Sequence, residues 1–165
     1  MSAPTFIIRS ATPQDIPVIL RFITELADYE KLRHEVVATE AALQHSLFGE
    51  RPYAEVVLAL EADIPVGFAL FFHNYSTFLA QPGIYLEDLF VLSEHRGKGY
   101  GEALLRYLAQ LAVSRSCGRL EWSVLDWNEP AISFYKKLGA VSMDEWTTFR
   151  VTGEHLKQLS ASLTD

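Results

Sequence analysis

The chain has 165 residues, of which 49% are apolar and 21% charged, as is typical of one globular domain. Its formal net charge of -7 disfavours nucleic acid as a partner, because no basic patch offsets the acidic excess. No apolar run is long enough to cross a bilayer, residues 1–9 lack a signal-peptide pattern, and Cys117 alone excludes a disulfide framework. We therefore expect one cytoplasmic domain over residues 1–165, without membrane partner or metal.

The front half of the sequence is predicted to contain a strand, two helices and three further strands. These elements are expected at residues 5–9, 12–29, 39–49, 54–61, 66–75 and 84–92. Thr12 or Asp15 is predicted to cap the first helix and Thr39 the second. Residues 63–65 are typical of a turn, and residues 76–83 are predicted to form a longer loop.

The back half is predicted to contain three helices, one strand and a hairpin. These elements are expected at residues 101–117, 119–125, 130–138, 141–143, 147–151 and 153–163, the two short strands forming the hairpin. The whole order indicates a mixed α/β (α+β) protein with an antiparallel front half. It lacks the strict alternation of a doubly wound parallel sheet, which disfavours a dinucleotide-binding interpretation of the glycines.

The sharpest local pattern is the loop Arg96-Gly97-Lys98-Gly99-Tyr100-Gly101, between an apolar strand and a helix. Alternate glycines let the backbone turn tightly and bring its N–H groups close to a ligand. Those groups and the helix N-terminus favour an anion, and Arg96 and Lys98 add positive charge. A flexible glycine turn is the alternative, but the placement and the two cations favour a pyrophosphate site.

This loop resembles the Arg/Gln-x-x-Gly-x-Gly/Ala signature of the GCN5-related N-acetyltransferases. Residues 128–139 resemble the family's Asn-x-x-Ala-x-x-Phe-Tyr-x-x-x-Gly segment, in the right order and separation. Residues 29–32, 85–91 and 125–128 look like the diamine acetyltransferase subfamily. The resemblance implies a mixed, mostly antiparallel central sheet flanked by helices, and an enzyme that transfers acetyl from acetyl-coenzyme A to an amine.

The resemblance also implies a cofactor site that combines the loop, the strand before it and the start of a later helix. Its expected residues are Leu89, Phe90, Val91, Arg96, Gly97, Lys98, Gly99, Tyr100, Gly101, Glu102, Asn128, Glu129, Pro130 and Ala131. The loop would hold the pyrophosphate, and the strand backbone would pair with the pantetheine amides. Asn128 is independently expected to cap its helix.

Two residues are candidates for acid–base catalysis. An amine with a pKa near 10 arrives protonated, so a carboxylate such as Glu87 is needed to hold the ammonium or accept its proton. Asp88 is the alternative, because a regular strand would point the two to opposite faces and a β-bulge would change that. The resemblance assigns Tyr135 as the acid that protonates the departing thiolate; core packing is the alternative.

The resemblance places a set of residues near the acceptor amine. They are Tyr29, Glu30, Glu87, Glu121, Trp122, Ser123 and Asp126. Spermidine/spermine enzymes have a denser acidic run where this chain has Lys31 and Arg33, so a thialysine- or lysine-like amine or a short diamine is the expected acceptor. A protein amine, an aminoglycoside, or a non-catalytic coenzyme A sensor are the alternatives, the last disfavoured by Glu87 and Tyr135.

A homodimer is expected from the apolar strand at residues 146–151, which would leave a sheet edge in need of a partner. The resemblance agrees, because subfamily members commonly pack or exchange their C-terminal strands. Alternatively, the helix at residues 153–163 covers this edge.

Overall fold

The computed structural model of the chain describes residues 2–161. The chain forms two compact units that divide after Leu125. A single domain over the whole chain stays a prediction. In the part that is described, no helix combines the length and the apolar character needed to span a membrane.

The first unit contains the predicted front half and the first helix and strand of the back half. Its elements are β1 (Phe6–Ser10), α1 (Ile16–Tyr29), α2 (Glu40–Phe48), β2 (Glu55–Glu61), β3 (Ile64–Ser76), β4 (Gln81–Val91), α3 (Tyr100–Ser114) and β5 (Leu120–Trp122). Asp15 occupies the N-cap of α1, and the Thr39 hydroxyl accepts a hydrogen bond from the amide of Ala42 at 3.1 Å. The predicted order of these elements is confirmed, with β5 shorter than expected.

The strands form one sheet in the order β1-β2-β3-β4-β5. Every neighbouring pair is antiparallel except β4 and β5, which are parallel, so the predicted mixed, mostly antiparallel sheet is confirmed. Two connections differ from expectation. The β2–β3 turn is Ala62–Asp63, both at positive φ, because Pro65 already pairs with Leu60. The β3–β4 connection shrinks to residues 77–80 because both strands extend into the predicted loop.

Apolar side chains of α1 and α2 pack against one face of the sheet. The Phe22 ring of α1 lies 5.7 Å from the ring of Phe68 on β3 and 6.2 Å from that of Phe90 on β4. Phe22 and Phe68 are fully buried, so these contacts fix α1 over the centre of the sheet. The C-terminal end of α1, with Tyr29 and Glu30, is thereby brought to β4.

The second unit contains α4 (Glu129–Lys137) and α5 (Gly153–Ala161). The predicted hairpin at residues 141–143 and 147–151 is wrong, since neither segment is a strand. The amide of Trp146 instead donates to the carbonyl of Met143 at 3.2 Å, closing a turn, and such short segments have no sheet in their own unit to extend. The last residues of the predicted final helix lie outside the described residues.

Candidate active site

The glycine-rich loop adopts a conformation that requires its glycines. Gly97 has φ of +78° and Gly99 of +83°, the left-handed region that side chains disfavour. A Cβ placed on either glycine would meet nothing within 4 Å, so the backbone faces open space that a ligand can enter. Gly99 is the N-cap of α3, whose first N–H groups carry partial positive charge. This geometry fits an anionic group such as a pyrophosphate.

The two cations of the loop are already engaged by protein groups. Arg96 donates its Nε–H to the Val91 carbonyl at 3.0 Å, and its guanidinium lies 4.8 Å from the centre of the Tyr29 ring. Lys98 donates from Nζ to Glu61 at 2.8 Å. Arg96 therefore joins two residue sets that the sequence analysis treated separately, the loop and the end of α1.

One edge of β4 is paired along only part of its length. The parallel register with β5 covers residues 84–86, whereas Leu89, Phe90 and Val91 pair with residues 67–69 of β3 on the other side. Within residues 2–161, no strand continues the β5 side of β4 past Leu86. This leaves strand backbone available next to the glycine-rich loop, as the cofactor prediction requires.

A β-bulge lies at Glu87. Leu86 pairs with Phe71 and Asp88 pairs with Leu70, so Glu87 has no partner residue on β3. After the bulge, the side chains of β4 lie on the opposite faces from those of a regular strand. This follows because the partners of Leu86 and Asp88, Phe71 and Leu70, are adjacent and point to opposite faces. Asp88 consequently lies on the face of Leu70, which packs with the α1 cluster, rather than on the face of Leu86 that it would share in a regular strand.

Three carboxylates meet at this bulge. Burial, followed by the charges of Glu87 and Glu30, raises the pKa of Asp88 to about 6. Burial and the charge of Glu87 also raise the pKa of Glu30. Both shifts arise from burial and from the negative charges within the cluster, and Glu30 lies at the partially negative C-terminal end of α1. The arrangement concentrates negative potential and favours a cationic ligand.

The acceptor residues predicted on β5 have partners of their own. The Glu121 carboxylate forms an ion pair with Arg119 Nε at 2.8 Å and accepts a hydrogen bond from Asn74 Nδ2 at 3.0 Å. The Ser123 hydroxyl lies 2.8 Å from the Tyr85 hydroxyl, next to β5. Trp122 pairs with Leu86 in the β4–β5 register. Glu121 is thus charge-compensated.

The remaining predicted residues belong to the second unit. Asn128 occupies the N-cap of α4 as expected, but its side chain makes no capping hydrogen bond. Tyr135 is half-buried on α4, and its ring lies 5.6 Å from that of Phe134 at an angle of 53°. Asp126 is exposed. The roles of these residues stay predictions.

One residue of the loop region, Glu61, was not predicted from the sequence. Glu61 contacts His95, Lys98 and Tyr100, although it belongs to another strand and to no motif. Its only signal was a carboxylate at the end of an apolar strand, a pattern shared by many surface residues. No described group of His, Cys, Asp and Glu side chains is arranged to hold a metal ion.

Comparisons with known proteins place the chain in a family. Residues 21–140 match the acetyltransferase (GNAT) family, so the chain belongs to that family, the GCN5-related N-acetyltransferases. It is 37% identical to thialysine N-epsilon-acetyltransferase of Mus musculus, covering 93% of this chain and 96% of the relative. It is 36% identical to L-ornithine N5-acetyltransferase of Arabidopsis thaliana, covering 92% of this chain and 86% of the relative.

A solved structure shows the same architecture. An integron cassette protein from the mobile metagenome of V. cholerae matches with a TM-score of 0.81 and 30% identity, covering 95% of this chain and 98% of that one. The protein is therefore an acyl-coenzyme A-dependent N-acetyltransferase of the diamine acetyltransferase subfamily, as the sequence resemblance implied. Enzymes of this family use acetyl-coenzyme A as cosubstrate.

Proposed function

We propose that this enzyme transfers acetyl from acetyl-coenzyme A to the primary amine of a small cationic metabolite, either a thialysine- or lysine-like amino acid or a short diamine. The observation that carries the proposal is the cluster of Glu30, Glu87 and Asp88, in which burial and mutual repulsion raise the pKa values of Glu30 and Asp88. Relatives named for thialysine and L-ornithine support an acceptor whose amine ends an amino acid side chain.

The carboxylate cluster has two tasks in this proposal. It attracts the ammonium form of the acceptor, since opposite charges interact strongly in a partly desolvated site. It also receives a proton from the amine, which becomes more acidic as its nitrogen forms a bond to the acetyl carbon. Glu87 is the proposed base or ammonium holder, and Asp88, with a pKa of about 6, is poised to share either task near neutral pH.

Acetyl-coenzyme A supplies the activated acetyl group. We assign its pyrophosphate to the loop at residues 96–101, where both left-handed glycines face open space. Its pantetheine arm is assigned to the free side of β4 at residues 89–91. Tyr135 is the proposed acid that gives its phenolic proton to the leaving thiolate.

The selection of the acceptor draws mainly on the relatives. Arg33 is ion-paired with Asp28 at 2.7 Å, so its charge is already compensated and repels a long polycation less than the sequence suggested. Spermine remains a poor substrate in the proposal, because the cluster contains three carboxylates at one point rather than an extended acidic track.

A panel of acceptors tests this function. Thialysine, L-ornithine, lysine, putrescine, spermidine and spermine are compared by kcat/KM under one set of conditions, with released thiol as the readout. We expect an amino acid or putrescine to give the highest value. Spermine as the best substrate would overturn the proposed acceptor class, and inactivity with all six would favour a protein amine or an aminoglycoside.

A homodimer is the second part of the proposal. The exposed large apolar side chains of the second unit include Val141, Trp146, Phe149 and Val151. A second copy of the chain would cover them, which is consistent with the expected need for a partner at residues 146–151. Light scattering at micromolar concentration should report twice the mass of the chain, and a monomer would contradict this assignment.

A further inference from the structure

We propose that Glu61 is a positioning residue, which holds the glycine-rich loop in its binding conformation before acetyl-coenzyme A arrives. The inference rests on the proposed role of that loop in binding pyrophosphate. Glu61 is the last residue of β2, next to the Ala62–Asp63 turn, and reaches the loop from a different part of the sheet.

One carboxylate contacts three side chains of the loop segment. Lys98 donates from Nζ to Oε1 of Glu61 at 2.8 Å, and the Tyr100 hydroxyl donates to the same oxygen. His95 Nδ1 lies 2.9 Å from Oε2 without hydrogen-bond geometry, so that contact is electrostatic and depends on protonation of the ring. These three residues bracket Gly97 and Gly99 along the chain.

The contacts are supported by β1. The Glu61 side chain is only 12% exposed, whereas that of Lys98 is 45% exposed. Phe6 on β1 is the direct cross-strand partner of Glu61, and the Tyr100 ring stacks on the Phe6 ring at 4.2 Å with an angle of 7°. Tyr100 is therefore held twice, by its ring against Phe6 and by its hydroxyl on Glu61.

The charge of Glu61 is matched to its partners. The hydrogen bonds from Lys98 and Tyr100 lower the pKa of the Glu61 carboxyl, so it is ionised at neutral pH. Glu61 therefore acts as a fixed negative charge rather than as a proton carrier. The side chains that contact Glu61 come from the loop segment. The positions that a Cβ of Gly97 or Gly99 would occupy remain open to a ligand.

Two physical effects of Glu61 on acetyl-coenzyme A have opposite signs. A loop with two glycines loses much conformational freedom when it is ordered, so ordering it in the free protein strengthens binding. A carboxylate close to a pyrophosphate site weakens binding by repulsion. The salt bridge with Lys98 offsets much of that repulsion, and we therefore infer that the ordering effect is the larger.

Isothermal calorimetry with acetyl-coenzyme A tests the inference. Glu61→Ala should raise Kd about tenfold, and Glu61→Gln, which keeps one acceptor oxygen, should raise it less. Glu55→Ala is the matched control, because Glu55 begins the same strand and binds Arg115 through contacts of 2.6 and 2.9 Å away from the loop. The control should remain within about twofold of wild type, as expected for a surface pair.

Amide hydrogen exchange supplies a readout that general destabilisation would not move selectively. In the free protein, exchange at residues 97–101 should accelerate in Glu61→Ala and stay unchanged in Glu55→Ala. The KM for the amine should change little in both. If Glu61→Ala does not fold, Tyr100→Phe replaces it, because it removes the hydroxyl contact and keeps the stacked ring; Kd should then rise about threefold.

The outcomes separate this inference from the proposed function. A folded Glu61→Ala variant that binds acetyl-coenzyme A as tightly as wild type, or more tightly, overturns the positioning role. Equal effects of Glu61→Ala and Glu55→Ala also overturn it, because strand stability would then explain both. Failure of the wild-type protein to bind acetyl-coenzyme A would instead contradict the assignment of the loop.

Discussion

Asp88 on β4 and Glu61 on β2 are two carboxylates of one sheet with opposite surroundings. Asp88 is half-buried beside Glu30 and Glu87, and its pKa is raised to about 6. Glu61 accepts hydrogen bonds from Lys98 and Tyr100, and its pKa is lowered. The protein's own donors balance the charge of Glu61, whereas burial and neighbouring negative charges disfavour ionisation of Asp88.

The largest expected effect is the loss of turnover on substitution of Tyr135, the proposed acid, whose role the carboxylate cluster cannot fill. Tyr135→Phe removes only the phenolic proton, so turnover should fall roughly a hundredfold to ten-thousandfold while the Kd for acetyl-coenzyme A stays nearly constant. Steady-state kinetics and calorimetry on the same preparation check this. Turnover within about twofold of wild type would make Tyr135 a packing residue.

Substitutions at the bulge compare the two members of the cluster directly. Glu87→Gln and Asp88→Asn keep shape and remove charge, so each should lower kcat/KM for the amine at pH 7 by about tenfold to a hundredfold. The loss should be partly recovered at high pH, where more amine is unprotonated. Glu55→Gln is the control, and its kcat/KM for the amine should stay close to the wild-type value. If only Asp88→Asn shows this behaviour, Asp88 rather than Glu87 is the base.

The pH profile sharpens the same comparison. A base must be deprotonated, and the pKa of Asp88 is about 6, so kcat/KM for the amine should decline below about pH 6. Above that pH it should continue to rise with the fraction of free amine. In Asp88→Asn the break near pH 6 should disappear, and its persistence would assign the titration to another group.

The glycine-rich loop is the next test, with a smaller effect on chemistry than on binding. Gly99→Asp places a side chain at φ of +83° and a negative charge where phosphate is expected. The Kd for acetyl-coenzyme A should rise at least about tenfold, since strain and repulsion act together. Calorimetry on a folded variant with unchanged affinity would remove the loop from the cofactor site.

The smallest effect is on stability, and its sign differs between the two carboxylates. The folded-state pKa of Asp88 lies above its unfolded value, so ionisation destabilises the fold above about pH 6. Asp88→Asn should therefore raise the free energy of unfolding at pH 7 by about 1 to 3 kcal/mol, a gain that shrinks as pH falls from 6 to 4.

Glu61 should behave in the opposite way. Its folded-state pKa is lowered, so its ionised form stabilises the fold above the unfolded pKa, and that stability is lost as pH falls through the folded pKa. Glu61→Gln should lower the free energy of unfolding at pH 7. Urea denaturation of Asp88→Asn and Glu61→Gln at pH 7 and pH 4 measures this contrast. Changes of the same sign in the free energy of unfolding at pH 7 would contradict it.

Much of the first unit was predictable because its signals are local. Continuous apolar runs marked β2 and β3, and Thr39 marked the start of α2 through a hydrogen bond to a residue three positions on. The end of β2 was less predictable. Ala62 and Asp63 form the turn at positive φ, although Pro65 suggested a later one, because cross-strand register rather than residue preference decided which two residues turn.

The final hairpin shows where local pattern was insufficient. Residues 147–151 have a strand-like composition, yet the structure contains no strand there. A strand needs backbone partners from a neighbouring strand, and propensity cannot supply them. The predicted pattern therefore described side chains that favour a sheet, without identifying any sheet for them to join.

The family, the order of the helices and strands in the first unit, and the glycine-rich loop before α3 could be predicted, because their signals are motifs and patterns of residues close together in the chain. Folding alone places Glu87 and Asp88 at a bulge beside Glu30, and brings Glu61 into contact with Lys98 and Tyr100 of the loop. The reason is physical. The bulge is a mismatch in length between two paired strands, and the charge of a carboxylate is set by neighbours that folding brings from distant positions.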